Sequence, residues 1–414
     1  MKNRVVITGL GPVTPIGIGK ENFFEALKSG KNGISNIEQF DTTEHTCKIG
    51  GEVKDFNAED FIDKKEIKKM DKYTQFAFAA AKLALADSKL DLSAINRDRA
   101  GVFVGNGIGG MQTLHNQYEK LFDKGPSRIS PFFIPMTIAN MAAGQIAIEF
   151  GIHGPAESIV TACASGTNCI GDAFFAIQNG EVDLMFAGGT EAAITPAGVA
   201  GFASMKALCI DHNDDPAHAS RPFDKNRSGF IMGEGAGIVL LESLESAKKR
   251  NAHIYAEVIG YGRNNDAYHI TTPAPNGEYQ AKCMQLAIEN AGIAPADVDY
   301  INAHGTSTHF NDMCETQAIK TVFGEHAYKL AISSTKSMTG HMLGAAGGME
   351  AIATALTIDE GIIPPTINYE TPDDGLDLDY VPNKARAAEI NIAMSNSFGF
   401  GGHNACIILK KYKD

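Results

Sequence analysis

Residues 157–180 read ESIVTACASGTNCIGDAFFAIQNG. The run ESIVTA has the apolar, β-branched character of a short strand. The segment after Cys163 has the small-residue content of a helix that ends near Gly180. A helix made of alanine, glycine and serine on most faces can be packed closely on both sides. A second stretch of the same character, LGAAGGMEAIATALTIDEG, occupies residues 343–361. With Gly180 laid over Gly361, Cys163 falls over Gly344, and Ser165 and Gly166 fall over Ala346 and Gly347. Two such helices, buried between sheets, are expected at the centre of a duplicated fold.

Outward from these helices, β-type runs alternate with helical ones. RVVITGLG (4–11), AGVFVGN (100–106), VDLMFAGG (182–189) and GAGIVLLES (235–243) read as strands. So do HIYAEVIGYG (253–262), VDYINAHG (298–305), LAISS (330–334) and NACIILKK (404–411). Helices are predicted over 68–88, over 140–151 with closure at Gly151, over 277–292 and over 312–324. The alternation specifies an α/β protein with helix-covered sheets. Two halves are expected, 1–250 carrying the cysteine and 251–414 carrying two histidines discussed below. Residues 195–235 form a long irregular stretch, of the kind that shapes a site.

The chain has 414 residues and a net charge of −13, which disfavours non-specific nucleic-acid binding. Its N-terminal apolar stretch is too short for a signal peptide, and no window is apolar enough to span a membrane. A soluble cytoplasmic protein is expected. The seven cysteines are scattered without a C-x-x-C pair, which argues against a disulfide framework and a structural zinc site. VFVGNGIGG contains a literal G-x-G-x-x-G at Gly105, Gly107 and Gly110, the mark of a dinucleotide site. The helix after it begins MQTLHNQYEK, without the expected apolar face, and no acidic strand end follows at the right distance. A tight turn that lets the backbone approach closely explains the glycines as well. In FIDKKEIKKMDKY (61–73), Lys64, Lys65, Lys68 and Lys69 fall on one side of a helix, as a solvated face or a docking patch for an acidic partner.

Cys163 lies at a strand-to-helix junction. Unpaired N–H groups there lower a thiol pKa and can hold a developing oxyanion. A buried structural cysteine fits the same position. His304 ends an apolar strand, and His341 precedes the second small-residue helix, with Lys336 just before it. A metal would need a further ligand at suitable spacing, and none is near. DHNDDPAH (211–218) looks more like a metal cluster, but it reads as a solvated loop.

TACASGTN (161–168), RPFDKNRSGFIMGEGAG (221–237), NAHGTSTHFND (302–312), STKSMTGHMLGAAGGMEA (334–351) and NSFGFGGHN (396–404) together resemble the elongating β-ketoacyl-[acyl-carrier-protein] synthases of dissociated fatty acid synthesis. The likeness runs from VVITGLGPVTPIG to the final strand. It implies the thiolase fold, a duplicated five-layer α-β-α-β-α arrangement, and a homodimer whose substrates ride on acyl carrier protein. By resemblance, Cys163 accepts the acyl group, with its own N–H and that of Phe400 as the oxyanion hole. His304 and His341 donate hydrogen bonds to the malonyl thioester, and Lys336 orients the site with Glu350. Thr271, Thr272, Thr306 and Thr308 match the phosphopantetheine channel, and Ile108 matches the acyl-pocket gate at the dimer interface. No cofactor is implied beyond a structural monovalent cation, which some relatives hold at positions matching Asn302, Glu350, Ser395 and Asn396. Lys64, Lys65, Lys68, Lys69, Arg128 and Lys206 match the carrier-docking face, and His403 receives no role. A free-standing polyketide ketosynthase shares the Cys-His-His set. A nucleotide-dependent dehydrogenase is the reading from another class.

Overall fold

The computed structural model describes residues 2–413. Its principal strands are β1 (Val5–Thr14), β2 (Ala100–Gly105), β3 (Ala156–Glu157), β4 (Leu184–Glu191) and β5 (Gly235–Ser243), then β6 (Ala256–Asn265), β7 (Tyr300–Asn302), β8 (Ala331–Ser333), β9 (Ile392–Gly399) and β10 (His403–Lys410). They lie in the order β8-β7-β9-β10-β6-β1-β5-β4-β2-β3. Each half repeats one pattern. β1 is antiparallel to β5, and β5 to β4, while β4, β2 and β3 run parallel. β6, β10, β9, β7 and β8 follow the same sequence of pairings. The two five-stranded units join where Val5, Val6 and Ile7 pair with Val258, Glu257 and Ala256.

Both sheet faces are covered, so the strands carry near-continuous apolar runs instead of polar alternation. Along β4, Leu184 and Phe186 face one layer while Met185 and Ala187 face the other. Helices α1 (Lys72–Ser88) and α2 (Met141–Phe150) cover the outer face of the first sheet. Helices α3 (Ser165–Gln178) and α6 (Ala346–Glu360) fill the space between the sheets, and α4 (Glu278–Ala291) and α5 (His309–Phe323) close the far side. This is the five-layer thiolase arrangement.

The matched helices meet at their N-terminal ends, backbone against backbone. A Cβ on Gly347 would lie 2.1 Å from Thr167 Oγ1, and one on Gly166 would lie 2.8 Å from the Gly348 nitrogen. Ala162 (φ 50°) and Leu343 (φ 48°) are both left-handed, one step before Cys163 and Gly344, and Gly180 and Gly361 are left-handed at the far ends. The superposition of the two stretches is therefore borne out down to backbone angles.

Three elements differ from expectation. The predicted helix over 68–88 starts at Lys72, because Asp71 accepts the Tyr73 N–H as a cap. Lys64–Ile67 is a separate single turn. The strand expected over ESIVTA is limited to Ala156–Glu157, since this edge of the sheet is solvent-exposed and has no partner beyond it. β9 was not anticipated at all. Its SNS run reads as loop, but Ser395, Asn396 and Ser397 are all buried.

Close backbone packing makes a sharp prediction. A Cβ on Gly237 of β5 would sit 2.2 Å from the Met349 nitrogen of α6. Gly237→Ala should cost about 3 kcal/mol in denaturant unfolding. Gly201→Ala, where nothing lies within 4 Å of the added carbon, should change stability by less than about 1 kcal/mol. Equal effects at the two positions would refute the packing account.

Candidate active site

The chain turns sharply into α3 at Ala162. Ser165 Oγ accepts the Thr161 N–H at 2.9 Å and donates to the Ala162 carbonyl at 2.7 Å, which secures the left-handed step. Cys163 is thereby placed at the floor of a cavity of about 520 Å³. The same cavity is lined by His304, His341, Phe398, Phe400, Thr271, Thr272, Thr306, Thr308 and Lys206. Residues from both halves, and from the irregular 195–235 stretch, thus share one opening.

His304 is held by its own backbone. The N–H groups of His304 and Gly305 donate to the two carboxylate oxygens of Glu315 on α5, each at 2.8 Å, and the Thr306 N–H donates to Asp312 at 3.0 Å. His341 is pinned from the other half: its N–H donates to the Ile231 carbonyl at 2.7 Å, and its carbonyl accepts the Gly233 N–H at 2.8 Å. The imidazoles meet edge to face with centroids 5.2 Å apart, and Phe398 and Phe230 back them. The Nδ1 atom of each ring is buried without a hydrogen-bond partner.

Lys336 is almost fully buried and ion-pairs with Glu350 of α6. Burial, and then the Lys336 charge, hold both histidines well below the ordinary imidazole value. The rings are neutral. Burial also pushes the Glu350 carboxyl up to about 7, against the Lys336 charge.

The thiol departs from expectation. A helix start was expected to lower its pKa, but burial pushes Cys163 up to about 12. Lys336 and a backbone hydrogen bond from Phe400 oppose that shift, while the carboxylates of Glu191 and Glu350 reinforce it. Lys336, which is shared with Glu350, only partly offsets the cost of burying a thiolate.

Other candidates scatter. Phe400 follows β9, and Gly399 lies against the Cys163 turn, where a Cβ would be 3.0 Å from the Cys163 nitrogen. Asn302 and Ser395 are register partners on β7 and β9. Both side-chain polar atoms of Asn302, together with Ser395 Oγ and Glu350 Oε2, are buried and unpartnered. The Asn396 amide instead points to the other face of β9, where it donates to Glu315 at 3.2 Å. Ile108 does not line the cavity, and its side chain is exposed. The lysines at 64, 65, 68 and 69 sit on one short turn and do not line the cavity either, and nor does Arg128. Lys64 pairs with Glu59 and Lys69 with Glu66, while Lys65 and Lys68 are exposed. His218 bonds Asp215 on the surface, and among the described residues no His/Cys/Asp/Glu cluster suits a metal. The G-x-G-x-x-G turn receives a carboxylate: Glu191 accepts the Gly107 N–H at 2.7 Å. Glu191 and Glu315 carry no sign of these roles in the sequence, since neither lies in a motif that reads as chemical and Glu191 holds a loop far away along the chain.

Residues 2–247 match the family described as beta-ketoacyl synthase, N-terminal domain, and residues 255–370 match its C-terminal domain. The chain belongs to the beta-ketoacyl synthase family. It is 55% identical over 412 residues to 3-oxoacyl-[acyl-carrier-protein] synthase 2 of Synechocystis sp., covering 100% of this chain and 99% of that one. It is 53% identical over 410 residues to the Staphylococcus aureus protein of the same name, covering 99% of each. Among solved structures, the ishigamide ketosynthase/chain length factor superposes with a TM-score of 0.94 at 37% identity, covering 100% of both chains. A type II PKS acyl-carrier protein in complex with its ketosynthase gives a TM-score of 0.92, also at 37% identity and full coverage of both chains.

The neutral histidines carry a pH signature. Their folded pKa values lie below the unfolded ones, so the unfolded chain takes up protons first as pH falls. Stability is therefore full above about pH 6.5 and is lost below it. Between pH 7 and pH 5 each ring should therefore subtract from the stability of the fold. The His304→Asn/His341→Asn double variant should show a correspondingly flatter pH dependence in urea unfolding. An unchanged dependence would mean that the rings are charged in the fold.

Proposed function

We propose that this chain is an elongating 3-oxoacyl-[acyl-carrier-protein] synthase of dissociated fatty acid synthesis, with Cys163 as its acyl acceptor. The observation that carries the reading is the convergence of one thiol and two neutral imidazoles, from opposite halves, on one cavity. The higher identity to synthases 2 than to the polyketide ketosynthases supports the fatty-acid assignment.

In the first half-reaction the Cys163 sulfur attacks a carrier-bound thioester. The carbonyl oxygen takes negative charge between the N–H groups of Cys163 and Phe400. The carrier's carbon–sulfur bond breaks, and the thiol proton leaves on the carrier sulfur. The high thiol pKa means that the proton departs during attack, not before it. In the second half-reaction a malonyl thioester occupies the channel lined by Thr271, Thr272, Thr306 and Thr308. Neutral His304 and His341 donate to its carbonyl oxygen, so that CO2 leaves and the electron pair stays as an enolate. Charged rings would compete as acids, and burial beside Lys336 prevents that. The enolate carbon attacks the acyl-enzyme, the carbon–sulfur bond to Cys163 breaks, the released sulfur takes up a proton from water, and a 3-oxoacyl thioester departs. Lys336 and Glu350 set the field around the reacting atoms.

The unpartnered oxygens of Asn302, Ser395 and Glu350 fit a monovalent cation, which would bridge the base of α6 to β7 and β9. Asn396 would contribute through its backbone, since its side chain is engaged elsewhere. The exposed apolar side chains of Phe122, Ile134 and Ile148, together with the open sheet edge at β3, fit a second copy of this chain. That copy would cover Ile108 and complete the acyl pocket. The boundary between the halves falls at 250/251, between β5 and β6. No described helix is long and apolar enough to cross a membrane, in keeping with work in the cytoplasm.

Incubation with acyl-carrier protein should add one acyl group to the wild type, read by intact mass, and none to Cys163→Ala. A Cys163→Ala protein that still elongates would refute the covalent route. For docking, Lys206 at the cavity and the exposed Lys65 and Lys68, with the half-buried Lys69 beside them, present positive charge to an acidic carrier. The Lys65→Glu/Lys69→Glu variant should raise KM for carrier-bound substrate about tenfold while sparing small thioester mimics. Equal loss on both substrates would count against docking there.

A further inference from the structure

Glu191 ends β4 with no solvent exposure, next to the nucleophile but outside every role assigned above. Its Oε2 accepts the Gly107 N–H at 2.7 Å and the Gly344 N–H at 3.1 Å, and its Oε1 accepts the Ile108 N–H at 3.3 Å. One carboxylate therefore binds two chain segments. The first is the loop that carries Ile108. The second is the turn between His341 and α6. Backbone space around it is exhausted: a Cβ on Gly107 would lie 2.7 Å from Glu191 Oε2, one on Gly344 2.4 Å from the Gly107 nitrogen, and one on Gly189 2.1 Å from the Gly344 carbonyl oxygen. Loop and turn cannot shift independently while the carboxylate is in place.

The duplication shows what is unusual here. Gly344 is the counterpart of Cys163, and the two strand ends, Glu191 on β4 and Gly399 on β9, abut the helix start of the opposite half. At Cys163 the abutting residue has no side chain, so the N–H groups of the turn stay available to substrate. At Gly344 the equivalent space is filled by the Glu191 carboxylate. Burial pushes this carboxyl up to about 7, and the N–H groups of Gly107, Gly344, Ile108 and Gly109 oppose that rise.

We infer that Glu191 is a positioning residue: it clamps the Ile108 loop to the His341 turn and so sets how readily a long acyl chain displaces the gate on its way to Cys163. The inference rests on the reading of Ile108 as the acyl-pocket gate. A glutamine at this position offers one oxygen and one NH2, so one of the two sets of N–H donors loses its acceptor and faces another donor. The loop is then held less firmly, and the gate yields more easily to long chains.

The test is single-turnover acyl transfer to Cys163 from carrier protein charged with a short or a long saturated acyl chain, followed by intact mass. In Glu191→Gln the long-to-short rate ratio should rise about fivefold. Ile108→Ala should raise the same ratio, and the double variant should go no higher than the larger single effect. Because the readout is a ratio within one protein, a general loss of folded enzyme cancels. If Ile108→Ala shifts the ratio and Glu191→Gln does not, the role of Glu191 is overturned alone. If Ile108→Ala leaves the ratio unchanged, the gate reading falls and the inference with it. Additive effects in the double variant would show that Glu191 does not act through the Ile108 loop, and would overturn it as well. The covalent route itself is judged separately, by Cys163→Ala.

Discussion

The backbone contact between the starts of α3 and α6 organises the molecule. Gly166, Gly347 and Gly348 let two helix ends approach until main-chain atoms touch. Cys163 stands two residues before one helix, and His341 five residues before the other. Once the helices meet, thiol and imidazole must face a common space, whatever the outer layers do. The remaining layers protect that contact: each sheet shields one side, and the outer helices bury the far face of each sheet.

The irregular loops that result have backbone N–H groups with no sheet or helix partner. Buried carboxylates supply the acceptors. Glu315 serves the His304 loop, Asp312 the Thr306 N–H, and Glu191 the Ile108 loop and the Gly344 turn. Asp224 does the same for Glu370 and Thr371 further out. Burying so many charges is costly unless hydrogen bonds hold them. The return is rigidity at the positions where the histidines are mounted. Burial, and then the Lys336 charge, keeps the imidazoles neutral.

Much of this was legible in the sequence. The two small-residue helices announced the duplication, because only a doubly packed helix has use for alanine and glycine on every face. His304 and His341 stood out, because glycine and threonine around a histidine after a strand suit a loop built for a site. β9 is hidden in the sequence because its SNS run is polar and yet buried, which no hydropathy pattern can reveal. Lys68 and Lys69 fall within the helix predicted over 68–88 because Asp71 reads equally well as a helical residue or as a cap. The thiol was expected to be acidic, since helix position is visible in sequence while the depth of its burial is not.

What the sequence by itself determined was local: alternating elements, the matched helices, and the identity of the thiol, the imidazoles and the lysine. These follow from backbone preference and side-chain chemistry, which act over a few residues. The tertiary structure alone decided which of those groups meet, that Lys336 spends its charge on Glu350, and that Glu191 fills the space which Gly399 leaves open at Cys163. The physical reason is that burial and electrostatic coupling depend on distances between segments far apart in the chain. Those distances exist only after the two halves close on one another.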